Sequence, residues 1–201
     1  QTDDILRAER PDLIIEEVDD LRVKAQLRRI ASELAIPIVM AGDAGDTATL
    51  DIERYDLNGT KPFNGKLNRK EYDALLDGTH DDQESALIKI LGLKNLSPRL
   101  FKSATMRGRK EIGGFPQLGT TAASGGSVAS VAARDILLGR KISSASRAHN
   151  IRKSAGSPAP TNLRENAEIF YDFATRKKTQ GKSASESEAI ITELPDTFEI
   201  P

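Results

Sequence analysis

The chain has 201 residues, enough for one core with an appendage, and its formal net charge of -1 argues against a globally basic nucleic-acid-binding protein. It contains no cysteine, which excludes disulfides, cysteine zinc sites and thioester chemistry on this chain. No run of about 18 apolar residues is present, so no membrane span is expected. We therefore expect a soluble, cytoplasmic protein with neither a membrane nor a nucleic-acid partner.

The first elements form a strand, a helix and a second strand. A short apolar run, Leu13 to Ile15, predicts a strand over residues 12–18. Apolar residues at helical spacing predict an amphipathic helix over 21–35, and a second buried strand follows over 36–41. This order is typical of a parallel βαβ unit. The sequence thus predicts an α/β fold with a Rossmann-like, mostly parallel sheet flanked by helices.

The first predicted strand ends in a concentration of acids. Four of the five residues from Glu16 to Asp20 are acidic. Ligands of open parallel sheets bind beyond the carboxyl ends of the strands, and magnesium prefers hard oxygen ligands. Asp19 and Asp20 are therefore candidates to hold a metal or a phosphate-bound magnesium. The alternative is that these acids cap the following helix, whose positive end favours negative charge.

The middle of the chain continues with a flexible loop over 42–47, a third strand over 49–55 and a turn at Asn58-Gly59. Helices are predicted over 69–77 and 82–92, and another begins at Ser97-Pro98 and runs to Met106. A helix rich in small residues follows over 120–138. Gly125-Gly126 within it predicts either a close approach to a neighbouring element or a break.

The composition changes after residue 142. Serine-rich and proline-containing segments predict a domain over 1–142, followed by a polar linker and extended C-terminal tail over 143–201 with one short helix over 163–175. The tail is basic up to Lys182 and acidic at its end, which is typical of a solvated extension that wraps a partner.

Five segments, taken in order, resemble a known family. They are 12–24, 36–40, 50–56, 115–118 and 125–139, which read DLIIEEVDDLRVK, IPIVM, LDIERYD, FPQL and GGSVASVAARDILLG. The chain is similar over about residues 10–140 to part of the ThiF-like adenylyltransferases, the ubiquitin-activating type of enzyme.

The resemblance implies a function and assigns roles to three residues. Members bind ATP and magnesium on a Rossmann-like sheet and adenylate a carboxylate, typically the C-terminus of a ubiquitin-like or sulfur-carrier protein. By motif position Asp19 matches the magnesium-binding, catalytic aspartate, and Asp20 takes the adjoining phosphate-facing position. Lys24, a candidate to bind the cofactor, stands where many members carry an arginine on the same helix, the alternative being an ordinary surface cation of that helix.

The chain also departs from the family. No G-x-G-x-x-G motif occurs, and the family's nucleotide loop precedes the segment that this chain matches. Adenylation therefore requires an N-terminal half or a partner chain that carries the loop. One interpretation is the C-terminal part of such an enzyme; the other is a non-catalytic interaction subunit of a ThiF-like assembly. Both predict a homo- or hetero-oligomer, such as a dimer, and an exposed apolar sheet edge.

Overall fold

The computed structural model describes residues 2–79, 83–92 and 117–157, with single positions at 95, 96, 100, 103, 106 and 113 between them. The helices are α1 (Thr2–Glu9), α2 (Leu21–Leu34), α3 (Arg69–Asp77), α4 (Gln83–Leu91), α5 (Gly119–Leu137) and α6 (Ile151–Ser154). The strands are β1 (Ile14–Glu16), β2 (Ile38–Ala44), β3 (Thr47–Glu53) and β4 (Ala145–Asn150), and a short 3-10 turn spans Pro62–Gly65. Within these ranges, no helix has the length and apolar character needed to cross a membrane.

The predicted α/β class is confirmed, because helices flank a four-stranded sheet with the order β1-β2-β3-β4. The βαβ prediction is also confirmed: β1 pairs with β2 in parallel, with Ile14 opposite Ile38, and α2 connects them. The mostly parallel sheet is wrong, since β2–β3 and β3–β4 are both antiparallel. The sheet is therefore mixed.

The chain reverses direction between β2 and β3 in the segment where the sequence predicts a flexible loop over 42–47. Ala44 pairs with Thr47, so β2 and β3 form a hairpin closed by Gly45-Asp46. Gly45 has φ +71°, a conformation that glycine adopts readily and that two-residue hairpin turns require. The hairpin tip is held from two sides. Thr121 Oγ1 donates to Gly45 O (2.7 Å), and Ile151 N donates to Asp46 O (2.9 Å).

The sheet extends beyond the predicted domain end at 142, because residues 145–150 form β4 and pair with β3. This edge strand is polar and largely exposed, so its composition resembles a linker. Side-chain hydrogen bonds help to hold it. The Ser146 hydroxyl bonds to the Asp51 carboxylate, and Asn150 Nδ2 donates to Thr47 Oγ1 (3.2 Å). α6 (Ile151–Ser154) follows β4 directly, and the predicted tail from residue 158 onward, including the helix over 163–175, lies outside the described residues.

Each face of the sheet has its own core. On one face, α2, α3 and α4 enclose an apolar cluster with β2, formed by Leu21, Ala25, Met40, Phe63, Leu67, Tyr72, Leu75, Ala86 and Ile90. On the other, α5 packs on Val39, Ala41, Leu50 and Ile52 through Ala129, Ala132 and Ile136.

The small residues of α5 allow it to lie close to the sheet. A Cβ added at Gly125 would be 3.4 Å from the Ala41 Cβ, so the predicted close approach is confirmed and the helix is unbroken. The predicted helix from Ser97 to Met106 falls mostly outside the described residues.

Candidate functional site

Asp20 is the N-cap of α2. Its backbone is extended (φ -73°, ψ 116°), and its Oδ1 accepts a hydrogen bond from Val23 N at 2.9 Å. Such a cap satisfies one of the amides that a helix start leaves unpaired and contributes about 1 kcal/mol. The helix-capping interpretation is therefore confirmed for Asp20, whose carboxylate is already engaged with the backbone.

Asp19 has a different environment, although it is the adjacent residue. It is exposed, and its carboxylate makes no hydrogen bond or ion pair with any residue that the structure describes. The same part of the chain contains no group of three or more histidine, cysteine or acidic residues that could enclose a metal. A single free carboxylate at a strand's carboxyl end nevertheless fits magnesium, which commonly takes one or two carboxylates and completes its shell with phosphates and water.

Lys24 is buried rather than exposed, with a relative exposure of 8%. Its Nζ donates to Glu16 Oε1 at 2.7 Å and lies 3.5 Å from Met40 Sδ. The surface-cation alternative is therefore wrong. A role for Lys24 in phosphate binding stays a prediction, and it would require the ammonium to leave a carboxylate that it already neutralises.

Lys24 belongs to a group of buried charges that the sequence analysis did not identify, formed by Glu16, Lys24, Arg28 and Glu53 and called here the buried charge network. Arg28 is fully buried; its Nη1 donates to Glu16 Oε2 and its Nε to Glu53 Oε1, both at 2.9 Å. The Arg28 guanidinium carbon lies 3.9 Å from the centre of the Phe63 ring. Two positive and two negative groups balance one another. The sequence offers one signal for the burial of Lys24 and Arg28. Positions 21, 24 and 28 fall on a single helix face, and Leu21 is a core residue.

The far end of the network is the Glu53 carboxylate. Its Oε2 accepts the Tyr55 hydroxyl at 2.6 Å and Phe63 N at 2.8 Å. Burial raises the pKa of Glu53, whereas Arg28 and these two hydrogen bonds act in the opposite direction. Phe63 has φ +52°, which is rare for a bulky residue. Bonds to the Phe63 amide and a cation over its ring stabilise this turn.

Two further acids follow the strands on this side of the sheet: Glu17 comes directly after β1, and Asp43 lies near the end of β2. Glu17, Asp19 and Asp43 together are called here the acidic edge. Glu17 Oε1 accepts a hydrogen bond from Ala41 N at 3.3 Å. Loss of solvation raises the pKa of Glu17, against the effect of the Ala41 N–H, and loss of solvation likewise raises the pKa of Asp43. Glu17 and Asp43 are thus incompletely solvated, but with Asp19 they do not form a group that could enclose a metal among the described residues.

A pocket of about 330 Å³ lies elsewhere on the part of the chain that the structure describes. It is lined by Leu57, Asn58, Gly59, Thr60, Lys61, Asn64, Ser143 and Ser144. None of these residues belongs to the acidic edge, so the pocket is a separate feature.

Comparison with known proteins gives one relative of unknown function. The chain is similar to the uncharacterized protein MT1398 of Mycobacterium tuberculosis (strain CDC 1551 / Oshkosh), with 33% identity over 134 residues. The match covers 66% of this chain and 18% of the relative, so the chain spans less than a fifth of that protein's length. No family model and no solved structure matches the chain.

Proposed function

We propose that this chain is the C-terminal part of an ATP- and magnesium-dependent adenylyltransferase of the ThiF-like type. The observation that carries the proposal is Asp19, an exposed carboxylate without a partner among the described residues, three residues after the first strand of a parallel βαβ unit. Its neighbour Asp20 caps α2, which places Asp19 at the junction of strand and helix. The ordered segments that resemble the family support the same assignment.

In the proposed reaction, a substrate carboxylate attacks the α-phosphate of ATP, forms an acyl-adenylate and releases pyrophosphate. A magnesium ion would neutralise charge that develops on the phosphate oxygens. This chain's own contribution is the position of the Asp19 carboxylate, which would hold that ion. The Asp20 cap and the ion pair between Lys24 and Glu16 support the junction from within the fold.

The proposed partners follow from the absence of a G-x-G-x-x-G nucleotide loop in this sequence. A nucleotide loop would come from an N-terminal half of a longer protein or from a partner chain, consistent with a relative of which the match covers 18%. β1 is an outer strand of the described sheet, and Ile15 on it is 52% exposed. We propose that this edge pairs with the missing half in a cytoplasmic homo- or hetero-oligomer. The proposed substrate is a ubiquitin-like protein, a sulfur carrier or a small acid.

A non-catalytic interaction subunit is the second candidate. It is favoured by one observation: two of the three predicted site residues are engaged internally, Asp20 with Val23 N and Lys24 with Glu16. Under this alternative the exposed β1 edge still binds the rest of the assembly, but Asp19 contributes nothing to metal binding.

The test compares Asp19→Ala with Asp12→Ala, which removes another exposed carboxylate, located just before β1. The chain is assembled with the segment that carries the nucleotide loop, and ATP–pyrophosphate exchange is measured with magnesium and a ubiquitin-like or sulfur-carrier protein as the carboxylate substrate. We expect Asp19→Ala to abolish exchange and Asp12→Ala to keep it, with both variants folded. Full exchange in Asp19→Ala would refute the site. If the wild-type assembly forms but neither binds magnesium-ATP nor catalyses exchange, the interaction subunit is the better description.

A further inference from the structure

The short segment that carries Asp19 is held at both ends by carboxylates. On one side, Val18 N donates to Glu16 Oε1 at 2.7 Å. On the other, Asp20 Oδ1 accepts Val23 N and fixes the start of α2. Asp19 therefore lies between two anchored residues, while its own side chain remains exposed.

The anchor at Glu16 is tightly constrained. Glu16 is 1% exposed, and its Oε1 is shared by Val18 N and Lys24 Nζ, both at 2.7 Å. Its second oxygen accepts Arg28 Nη1 at 2.9 Å. With three donors on two oxygens, the carboxylate cannot turn without breaking a charge-assisted contact.

Burying such charges is a costly way to fill a core, because well-packed apolar side chains of similar volume are often as stable or more so. A positional role explains why the network extends to the β1–α2 junction. We propose that Glu16 is a positioning residue for the Asp19 carboxylate, and that Lys24 acts by holding Glu16 in place. This inference rests on the proposed function, in which Asp19 holds a metal ion.

The experiment measures binding of Mn²⁺ alone to the 201-residue chain, through paramagnetic broadening of the backbone amide signals of residues 17–21. Mn²⁺ suits carboxylate ligands, and broadening detects weak binding. Glu16→Gln is the main variant, because its amide nitrogen must face either Arg28 or the donors at Oε1. Lys24→Met keeps the side-chain stem but removes the ammonium. Glu53→Gln is the matched control, since it damages the same network at its far end.

We expect Glu16→Gln to weaken Mn²⁺ binding by about tenfold, the lower end of the usual range for residues that orient metal ligands. Lys24→Met should weaken it less, and Glu53→Gln should leave it unchanged although it also destabilises the fold. The amide spectrum verifies that each variant is folded. If Glu16→Gln does not fold, the comparison of Lys24→Met with Glu53→Gln decides the question.

Asp19→Asn distinguishes a failure of the positioning role of Glu16 from a failure of the proposed metal role of Asp19. If Asp19→Asn removes the broadening while Glu16→Gln and Lys24→Met bind like wild type, the positioning role is refuted and the proposed function stands. If Glu53→Gln weakens Mn²⁺ binding as much as Glu16→Gln does, the positioning role is also refuted, because the loss of binding would then follow from lower fold stability alone. If Asp19→Asn keeps the broadening, the metal role of Asp19 is wrong, and the inference falls with it.

Discussion

Two regions of the molecule use aspartate in opposite ways. At the β1–α2 junction, Asp19 is exposed and has no partner among the residues described. On β3, Asp51 is 1% exposed, and its carboxylate accepts Lys66 Nζ at 2.8 Å, Asn64 Nδ2 at 3.2 Å and the Ser146 hydroxyl. The second aspartate anchors an edge strand, whereas the first has acceptor capacity to offer a ligand. Partners and burial, rather than residue type, therefore separate structural acids from candidate functional ones.

The largest effect is expected at the buried charge network, on which the junction depends. Arg28→Met would leave Glu16 and Glu53 without their shared cation, and removal of one partner from such a pair costs about 3–5 kcal/mol. Unfolding in denaturant measures the loss. Arg29→Met is the matched control, because Arg29 is 40% exposed and its surface ion pairs contribute about 0–1 kcal/mol. Equal stability of the two variants would contradict the structural importance of the network.

A smaller loss is expected where Asp51 holds β4. Asp51→Asn weakens a charge-assisted contact to Lys66 and the bond to Ser146, so we expect the free energy of unfolding to fall by about 1–3 kcal/mol. Amide hydrogen exchange should accelerate most in β4. Asp19→Asn, the same change at the exposed position, should alter stability by less than about 0.5 kcal/mol. Comparable losses in both variants would remove the contrast between the two regions.

Within the junction, Asp20 and Asp19 should differ as well. Asp20→Ala removes the α2 cap and should cost about 1 kcal/mol in the free energy of unfolding. Asp19→Ala should not lower the free energy of unfolding in this way, because the Asp19 side chain makes no contact with the amides of α2. Thermal unfolding of both variants measures the difference. A loss of stability in Asp19→Ala instead of Asp20→Ala would mean that Asp19 is the cap and that α2 starts one residue earlier.

The smallest effect concerns pH. Burial raises the pKa of Asp43, so the folded state binds a proton more readily than the unfolded chain does. Stability contributed by this group is therefore lost as pH rises from the ordinary value of 3.8 through the raised folded pKa. Asp43→Asn should be slightly more stable than wild type at pH 7, with a weaker pH dependence of the melting temperature between pH 3 and 7. A lower melting temperature of the variant at pH 7 would show that the Asp43 charge stabilises the fold.

Much of the architecture could be predicted from local patterns. Helix α2 was expected over 21–35 and spans Leu21–Leu34, and α3 matches its expected range of 69–77. Both have apolar residues at helical spacing, and α3 has a capping box at Asn68. β4 gave no such signal, because its residues are polar and its place depends on β3, far away in the chain.

The site was harder to predict for a related reason. Whether Asp19 or Asp20 caps α2 depends on where the helix starts, a boundary that periodicity fixes only to within a few residues. The burial of Arg28 depends on Glu53, 25 residues further along the chain. Helical spacing places Arg28 on the same face as Leu21, but the identity of a partner so distant in the chain leaves no local pattern in the sequence.

The pairing of β3 with β4 has a consequence for how the chain reaches its fold. Asp51 and Ser146 are 95 residues apart in sequence, so their contact closes a long loop before it contributes any stability. During synthesis, the hairpin of β2 and β3 emerges long before its last neighbour exists. Until residue 150 has left the ribosome, the outer edge of β3 is an open template for other strands, and the polar β4 is the element that closes it.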